Sequence, residues 1–350
     1  MSIHSRYLHW RLGPVAVLVA RRPAAVVAVL GAVVAGAAGF AVLFGDYPAT
    51  PGGSLAALLG TGDDALAVVF VRDLRLPRAL AAVVVGGSLG ASGAIFQSVS
   101  GNPLGSPDII GFTAGAASGA LVSIVLFGGT PAQVALGALA GGFATAAVVY
   151  VLSRRRGGGV AGHQLVLVGV GVGAVLSAVN SLLLVRSSLT AAQTAAQWLA
   201  GSLNGMSWAT VSVAGGAAGL LAVLAAALSR RLAAAMLGDD VSAGLGVPPQ
   251  RVRAVAVAVG VGLVSLATAA AGPIAFVALA APQLARRLTR PAGPGIGGAM
   301  VMGALLVIVC DQLAQRLFAP VQLPVGVVTG SLGGLYLVWL LARDVRRRPT

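Results

Sequence analysis

Long apolar runs recur along the whole of this 350-residue chain, and they constrain its fold more than any other feature. A helix needs about 20 mostly apolar residues to cross the roughly 30 Å hydrocarbon core of a bilayer. Only 9% of the residues are charged, whereas about a quarter are charged in an ordinary soluble domain. The sequence therefore predicts an all-α, polytopic membrane protein that forms one transmembrane domain over residues 1–350.

Ten segments have the length and composition of membrane spans. They cover residues 24–44, 77–98, 109–127, 132–152, 164–185, 208–228, 254–271, 274–288, 297–315 and 325–342. Segment 274–288 is short for a full crossing and 109–127 follows a proline-rich stretch, so either could be broken or partly re-entrant. The first segment follows arginines as in a signal peptide, but further spans come after it, so we expect it to be retained.

The arginines are distributed very unevenly between the two sides of these spans. With the N-terminus inside, five lie outside, and the other 18 of the 23 basic residues lie in cytoplasmic segments. The five are Arg72, Arg75, Arg78, Arg186 and Arg316. This asymmetry follows the positive-inside rule and predicts an inner-membrane protein with both termini in the cytoplasm. A nucleic-acid partner is not expected, because the charge is spread between spans and does not form one basic face.

Several chemistries are excluded by what the chain lacks. It contains no lysine, so it cannot form a P-loop, and any ATP and Mg²⁺ must sit on a partner. Cys310 has no second cysteine to pair with. We expect no bound cofactor, no metal site among the three histidines and no enzymatic activity. The scarcity of buried ionisable groups argues against a proton- or sodium-coupled carrier, although a sodium site built from backbone carbonyls would escape this test.

Seven stretches, in order, closely resemble the permease family of iron-siderophore, haem and cobalamin ABC importers, the FecCD type. They are RLPR at 75–78, the glycine-rich helix 86–97, GNPLGSPDIIG at 101–111, WLAGSL at 198–203, LGDDVSAGLGV at 237–247, GPIAFVALAAP at 272–282 and LPVGVVTG at 323–330. The resemblance implies a ten-helix permease that pairs with a second permease. It also implies two ATP-binding cassette subunits in the cytoplasm and a solute-binding protein outside.

The resemblance places the contact with the ATPases in the cytoplasmic segment 232–253. Its glycines and prolines predict two short helices joined by a sharp turn. Asp239 or Asp240 is expected near the start of the second helix, where unpaired N–H groups favour a carboxylate. The residues that match the family's coupling segment are Leu237, Gly238, Asp239, Asp240, Ala243, Leu245, Gly246 and Val247.

The same resemblance implies that Arg75 and Arg78 bind acidic residues of the solute-binding protein. The alternative is that these arginines only anchor their helix at the membrane interface. A third docking arginine of the family corresponds to Gln315 here, so we assign that contact to the next residue, Arg316.

For the translocation pathway, the resemblance and the polar exceptions within the spans indicate six residues. They are Gln97, Asn102, Pro103, Asn180, Pro282 and Gln283. Many relatives have histidine at the position of Gln283. Glutamine does not ionise, so this site cannot titrate near neutral pH as a histidine would. Iron would travel inside its chelator without being ligated by the protein.

The function implied is import of a ferric siderophore, with energy supplied by the partner ATPase. Residues 198–207 and 281–283 look most like the ferric catecholate-siderophore, or enterobactin-type, branch. That branch commonly pairs two different permeases, so we expect a heterodimer, with a homodimer as the alternative. Cobalamin or haem is the alternative cargo. Two alternatives come from other classes. One is a secondary carrier or channel that works without ATP, and the other is a membrane scaffold that transports nothing.

Overall fold

The structure is a computed structural model, and it describes residues 7–12, 15–45, 47, 50–62, 64–154 and 162–345. The helices in chain order are α1 Arg21–Leu43, α2 Pro51–Leu59, α3 Ala65–Val68, α4 Leu76–Ser100, α5 Phe112–Phe127, α6 Pro131–Leu152, α7 Gly162–Arg186, α8 Leu189–Leu199, α9 Trp208–Ala235, α10 Asp239–Gly244, α11 Pro249–Ala271, α12 Val277–Thr289, α13 Ile296–Arg316 and α14 Val325–Val345. A π-helical segment, Val69–Arg75, joins α3 to α4.

The helical fold class is confirmed, with one local departure at the N-terminus. Strands β1 (Tyr7–Leu12) and β2 (Val15–Ala20) form an antiparallel pair in which Tyr7 lies opposite Ala20. All ten predicted spans coincide with helices. They are α1, α4, α5, α6, α7, α9, α11, α12, α13 and α14.

The ten helices that coincide with predicted spans differ in length, and some of them are too short to cross a membrane completely. Among the described residues, seven helices are long and apolar enough to span, when α3, the π-helical segment and α4 are counted as one. Helix α5 and the first part of α14 are apolar but shorter. Helix α12 has 13 residues, or about 20 Å, which is well short of the hydrocarbon core. Ten full crossings therefore stay a prediction.

Helix α4 lies at the centre of the bundle, where most of its residues are buried. Its glycines let the neighbouring backbone approach directly: a side chain at Gly86 would collide with the carbonyl of Gly303, and one at Gly90 with that of Ala299, both on α13. Close approach of small residues replaces the hydrophobic driving force that helices lack inside a bilayer. In contrast, few residues are buried in α1, α7 and α9.

The two ends of the bundle carry the charges that the sequence separates. At one end, the Arg22 Nε donates a hydrogen bond to the carbonyl of Leu288 (3.2 Å), which joins the start of α1 to the end of α12. We call this the inner end. At the opposite end, the Arg316 Nη2 donates to the carbonyl of Phe44 (3.3 Å). We call this the outer end.

Candidate functional site

The segment between α9 and α11 forms a small projection at the inner end. Helix α9 continues to Ala235, α10 occupies Asp239–Gly244, and α11 already begins at Pro249. The prediction of two short helices is therefore wrong, because only one is separate. Proline is favoured at the first turn of a helix, where no backbone donor is lost, so Pro249 starts the long helix α11 directly.

An unburied apolar stripe runs along this projection. Leu237, Val241 and Leu245 expose 63%, 51% and 62% of their surface. They are spaced four residues apart, so they lie on the same side of α10 and its flanking turns. We call these three residues the α10 stripe. Val241 is not among the predicted coupling residues, although its spacing from Leu237 and Leu245 is visible in the sequence.

Polar contacts fix the orientation of α10 on the start of α11. The Asp239 carboxylate accepts hydrogen bonds from Gln250 Nε2 (3.3 Å), Arg253 Nη1 (3.1 Å) and Arg253 Nη2. Ser242 is fully buried, and its hydroxyl donates to the carbonyl of Val247 (2.8 Å), whose N–H donates to the carbonyl of Ser242 (3.0 Å). The stripe is therefore held in one position relative to α11.

The other predicted coupling residues lie on the same projection. Asp239 and Asp240 occupy the first turn of α10, as expected for carboxylates. Gly238 and Gly246 bracket the helix with positive φ angles of 106° and 74°, which favour glycine. Ala243 is exposed on α10.

At the outer end, Arg78 is held inside the protein. Its Nε lies 3.0 Å from Asp311 Oδ2, its Nη2 lies 2.8 Å from Asp311 Oδ1, and its Nη1 donates to Gln322 Oε1 (3.0 Å). Gln315 Nε2 donates to the same carboxylate (2.8 Å). The side chains of Arg78 and Asp311 are only 15% and 2% exposed. This geometry joins α4 to α13 and favours an anchoring role for Arg78.

The other two predicted docking arginines have different surroundings. Arg75 is partly buried and its Nη2 donates to the carbonyl of Tyr47 (3.0 Å). Arg316 is exposed at the end of α13, 4.5 Å from the ring centre of Phe40. The structure therefore does not gather the three arginines into one exposed cluster. Docking of a binding protein on them stays a prediction.

Three glycine-containing motifs that are far apart in sequence meet at the outer end. The Gly326 N–H donates to the carbonyl of Gly201 (3.0 Å), and the Ser202 N–H donates to the carbonyl of Ala271 (2.7 Å). A side chain at Gly201, Gly272 or Gly326 would collide with backbone of a neighbouring motif. We call these three glycines the outer glycine junction. The sequence shows each motif, but periodicity within one motif cannot reveal its distant neighbours.

Four of the six predicted pathway residues lie together between α4, α12 and the loop after α4. Gln97 is buried and its Nε2 donates to the carbonyl of Leu279 (3.1 Å). The Gln283 Nε2 donates to the carbonyl of Pro103 (2.9 Å). Pro282 lies within α12 and has no N–H, so it leaves the Ala278 carbonyl without its helical donor.

The remaining two pathway residues are placed differently. Asn102 is exposed, and its Oδ1 accepts from the N–H of Leu104 (2.9 Å) within the loop. Asn180 lies on α7, apart from this group, and its Oδ1 has no hydrogen-bond partner among the described residues. None of the six lines the large cavity of about 1290 Å³ at the outer end, which is bounded by α6, α8, α9 and α11.

Together these features define a class of protein. The described residues form a bundle of apolar helices with an exposed apolar stripe at one end, and they contain no group of three potential metal ligands. This is the architecture of a polytopic membrane protein. The chain belongs to the FecCD transport family, whose model matches residues 27–343.

Named relatives agree with this membership. The chain is 46% identical to the ferric enterobactin transport system permease protein FepG of Escherichia coli K12 over 84% of this chain and 88% of that one. It is 38% identical to the achromobactin transport system permease protein CbrC of Dickeya dadantii, over 79% and 80%. It is 34% identical to the hemin transport system permease protein HmuU of Yersinia pestis, over 79% and 84%.

A solved structure has the same fold. It is described as an inward-facing conformation of a metal-chelate type ABC transporter, and it superposes with a TM-score of 0.79 at 26% identity. The match covers 91% of this chain and 99% of the other. The membrane architecture inferred from the apolar runs is therefore that of an ABC transporter permease.

Proposed function

We propose that this chain is the membrane-spanning permease subunit of a binding-protein-dependent ABC importer in the inner membrane, and that it carries a ferric siderophore into the cytoplasm. The α10 stripe is the observation that carries this proposal. Three large apolar side chains on a short, rigidly held helix are unfavourable in water, and such a patch marks a contact with another protein. Membership of a transport family makes an energy-supplying subunit the natural partner.

In this proposal the partner is an ATP-binding cassette subunit, with two copies per importer. ATP and Mg²⁺ bind to that subunit, and the chain described here needs no cofactor and catalyses no reaction. Binding of ATP draws the two ATPases together and moves α10. Because Asp239 and Ser242 tie α10 to α11, the movement reaches the membrane helices as a displacement of α11.

The cargo is inferred from the names of the relatives. FepG and CbrC are named for siderophores, enterobactin and achromobactin, whereas HmuU is named for hemin. The higher identity to FepG supports a ferric catecholate siderophore. Haem is the alternative that the names also support, and cobalamin remains the alternative from the family resemblance.

The remaining partners complete the importer. A second, different permease would pair with this chain, and a solute-binding protein would dock at the outer end near Arg75 and Arg78. Docking through Arg78 would require the binding protein to compete with Asp311 for the guanidinium. The group formed by Gln97, Pro103, Pro282 and Gln283, together with Asn102 and Asn180, would line the passage.

The test is uptake of labelled cargo by cells that lack this gene. Ferric enterobactin, haem and cobalamin are each supplied to iron-starved deletion cells, to complemented cells and to complemented cells depleted of ATP. We expect complementation to restore uptake of the ferric siderophore alone, and ATP depletion to abolish it. Restored haem or cobalamin uptake would change the cargo, whereas uptake that persists without ATP would contradict the importer and favour a secondary carrier.

A further inference from the structure

A groove at the outer end lies on the outside of the bundle, between the ends of α1 and α13. It has a volume of about 530 Å³. Its walls are Ala37 and Phe40 of α1 and Val309 and Leu313 of α13, with Leu317 just beyond the helix. Phe40, Val309 and Leu313 are 42%, 43% and 39% exposed, so the groove is open on the outer surface of the bundle.

A single cationic side chain stands at the mouth of this groove. The Arg316 guanidinium lies 4.5 Å from the ring centre of Phe40, and its Nη2 donates to the Phe44 carbonyl (3.3 Å) and to Gln312 Oε1 (3.1 Å). Its Nε and Nη1 donate no hydrogen bond to any described residue. The acidic residue nearest to it along α13, Asp311, is already paired with Arg78.

The positions of these groups match the two parts of a phospholipid. Arg316 is the last residue of α13 and contacts the carbonyl that follows α1, so it lies where both helices leave the hydrocarbon region. An apolar groove below that level accepts an acyl chain. A guanidinium with free N–H groups binds phosphate oxygens in a planar, bidentate manner.

We propose that this groove binds an anionic phospholipid of the outer leaflet, with one acyl chain between α1 and α13 and the phosphate on Arg316. The positive charge favours an anionic headgroup over a zwitterionic one, because no acidic side chain among the described residues neutralises it. The proposal gives Arg316 a ligand other than the binding protein. It does not depend on the proposed cargo.

The headgroup is tested with the purified full-length permease in nanodiscs of phosphatidylglycerol and phosphatidylcholine with matched acyl chains. Native mass spectrometry counts the retained lipids. A basic side chain near an anionic surface is worth about 1 kcal/mol, or about fivefold in affinity. We therefore expect Arg316→Gln to lower the preference for phosphatidylglycerol about fivefold. Arg186→Gln is the matched control, because Arg186 is an exposed arginine at the end of α7, and it should leave the preference unchanged.

The groove itself is tested by Leu313→Trp, which fills it while Arg316 stays in place. We expect retention of both lipids to fall, with the variant eluting as a folded protein. An equal preference for phosphatidylglycerol in the wild type and in Arg316→Gln would overturn the proposal. So would a preference that falls as far in Arg186→Gln as in Arg316→Gln. Two other results would also overturn it: weaker capture of the binding protein by Arg316→Gln in lipid-free detergent, which indicates docking, or separation of paired permeases by Leu313→Trp, which indicates a subunit interface.

Discussion

The described residues contain two ion pairs between side chains, and they differ in depth. The outer pair, Arg78 with Asp311, is nearly enclosed, and Gln315 and Gln322 satisfy its remaining polar atoms. In the inner pair, Asp239 and Arg253 are 46% and 17% exposed, and the pair holds a helix that projects from the bundle. Removal of one partner from a buried pair is costly because the other charge is left uncompensated, whereas an exposed pair adds little stability. The outer pair therefore holds α4 against α13, and the inner pair, which we call the inner tether, holds α10 on the start of α11.

The largest expected effect is on the outer pair. Asp311→Ala leaves the Arg78 guanidinium enclosed without its counter-charge, and breaking a buried pair in this way costs about 3 to 5 kcal/mol. We expect that loss in the free energy of unfolding, measured with denaturant in detergent. Asp240→Ala, a carboxylate removed from the exposed face of α10, is the control. Unchanged stability of Asp311→Ala together with stronger capture of the binding protein would show that Arg78 serves docking and not anchoring.

The next largest effect is expected at the α10 stripe, which the inner tether holds in position. Val241→Asp places a charge in the middle of the α10 stripe, and loss of an anchoring side chain at the centre of an interface costs about 2 kcal/mol or more, which is about thirtyfold in affinity. We expect that loss in binding of the partner ATPase, while the free energy of unfolding changes by less than about 0.5 kcal/mol. Arg231→Asp, at the exposed end of α9, is the matched control. Full ATPase binding by Val241→Asp would remove the stripe as the contact.

A smaller effect is expected from the inner pair itself. Asp239→Asn removes the charge that Arg253 and Gln250 contact, and partly exposed pairs contribute about 1 kcal/mol or less. Stability should therefore barely change. The sensitive measurement is the number of cargo molecules imported per ATP hydrolysed in proteoliposomes, which we expect to fall because α10 is then held on α11 less firmly. An unchanged ratio would show that the tether has no part in coupling.

The smallest effect is a pH dependence at the outer surface. Asp64 accepts a hydrogen bond from the Tyr47 hydroxyl (2.7 Å) and caps α3, and these bonds lower the pKa of its carboxyl. A lowered folded-state pKa means that the stabilisation is present above the unfolded value, near 3.9, and is lost as pH falls through the folded value. We expect Asp64→Asn to flatten the acid limb of the unfolding curve slightly. An identical acid limb would show that the bond contributes nothing.

The helices themselves were predictable from the sequence, because apolar runs and glycine or proline boundaries act locally. Helix α10 and its flanking turns fall inside the coupling segment that the family resemblance indicates. The single short helix was not predicted, since proline can either end a segment or begin a helix, and Pro249 begins α11.

The outer end was harder to predict, because its contacts join residues far apart in the chain. Arg78 and Asp311 are separated by 233 positions, and neither carries a local signal of the other. The outer glycine junction has the same character: each glycine was visible, but its collision partner was not. Composition and periodicity therefore predict which segments matter, and they leave open whether a charged side chain faces a partner or the protein's own interior.

The most direct test of the account is a cysteine placed at Val241. Because Cys310 is buried, Val241→Cys supplies one accessible thiol at the centre of the α10 stripe. A thiol-reactive photocrosslinker on this residue should join the chain to the partner ATPase in membranes, and the same label on Leu220→Cys, on an exposed part of α9, should not. Joining from position 241 alone is the result that we predict. No joining at position 241 in membranes that import the siderophore would contradict the central claim.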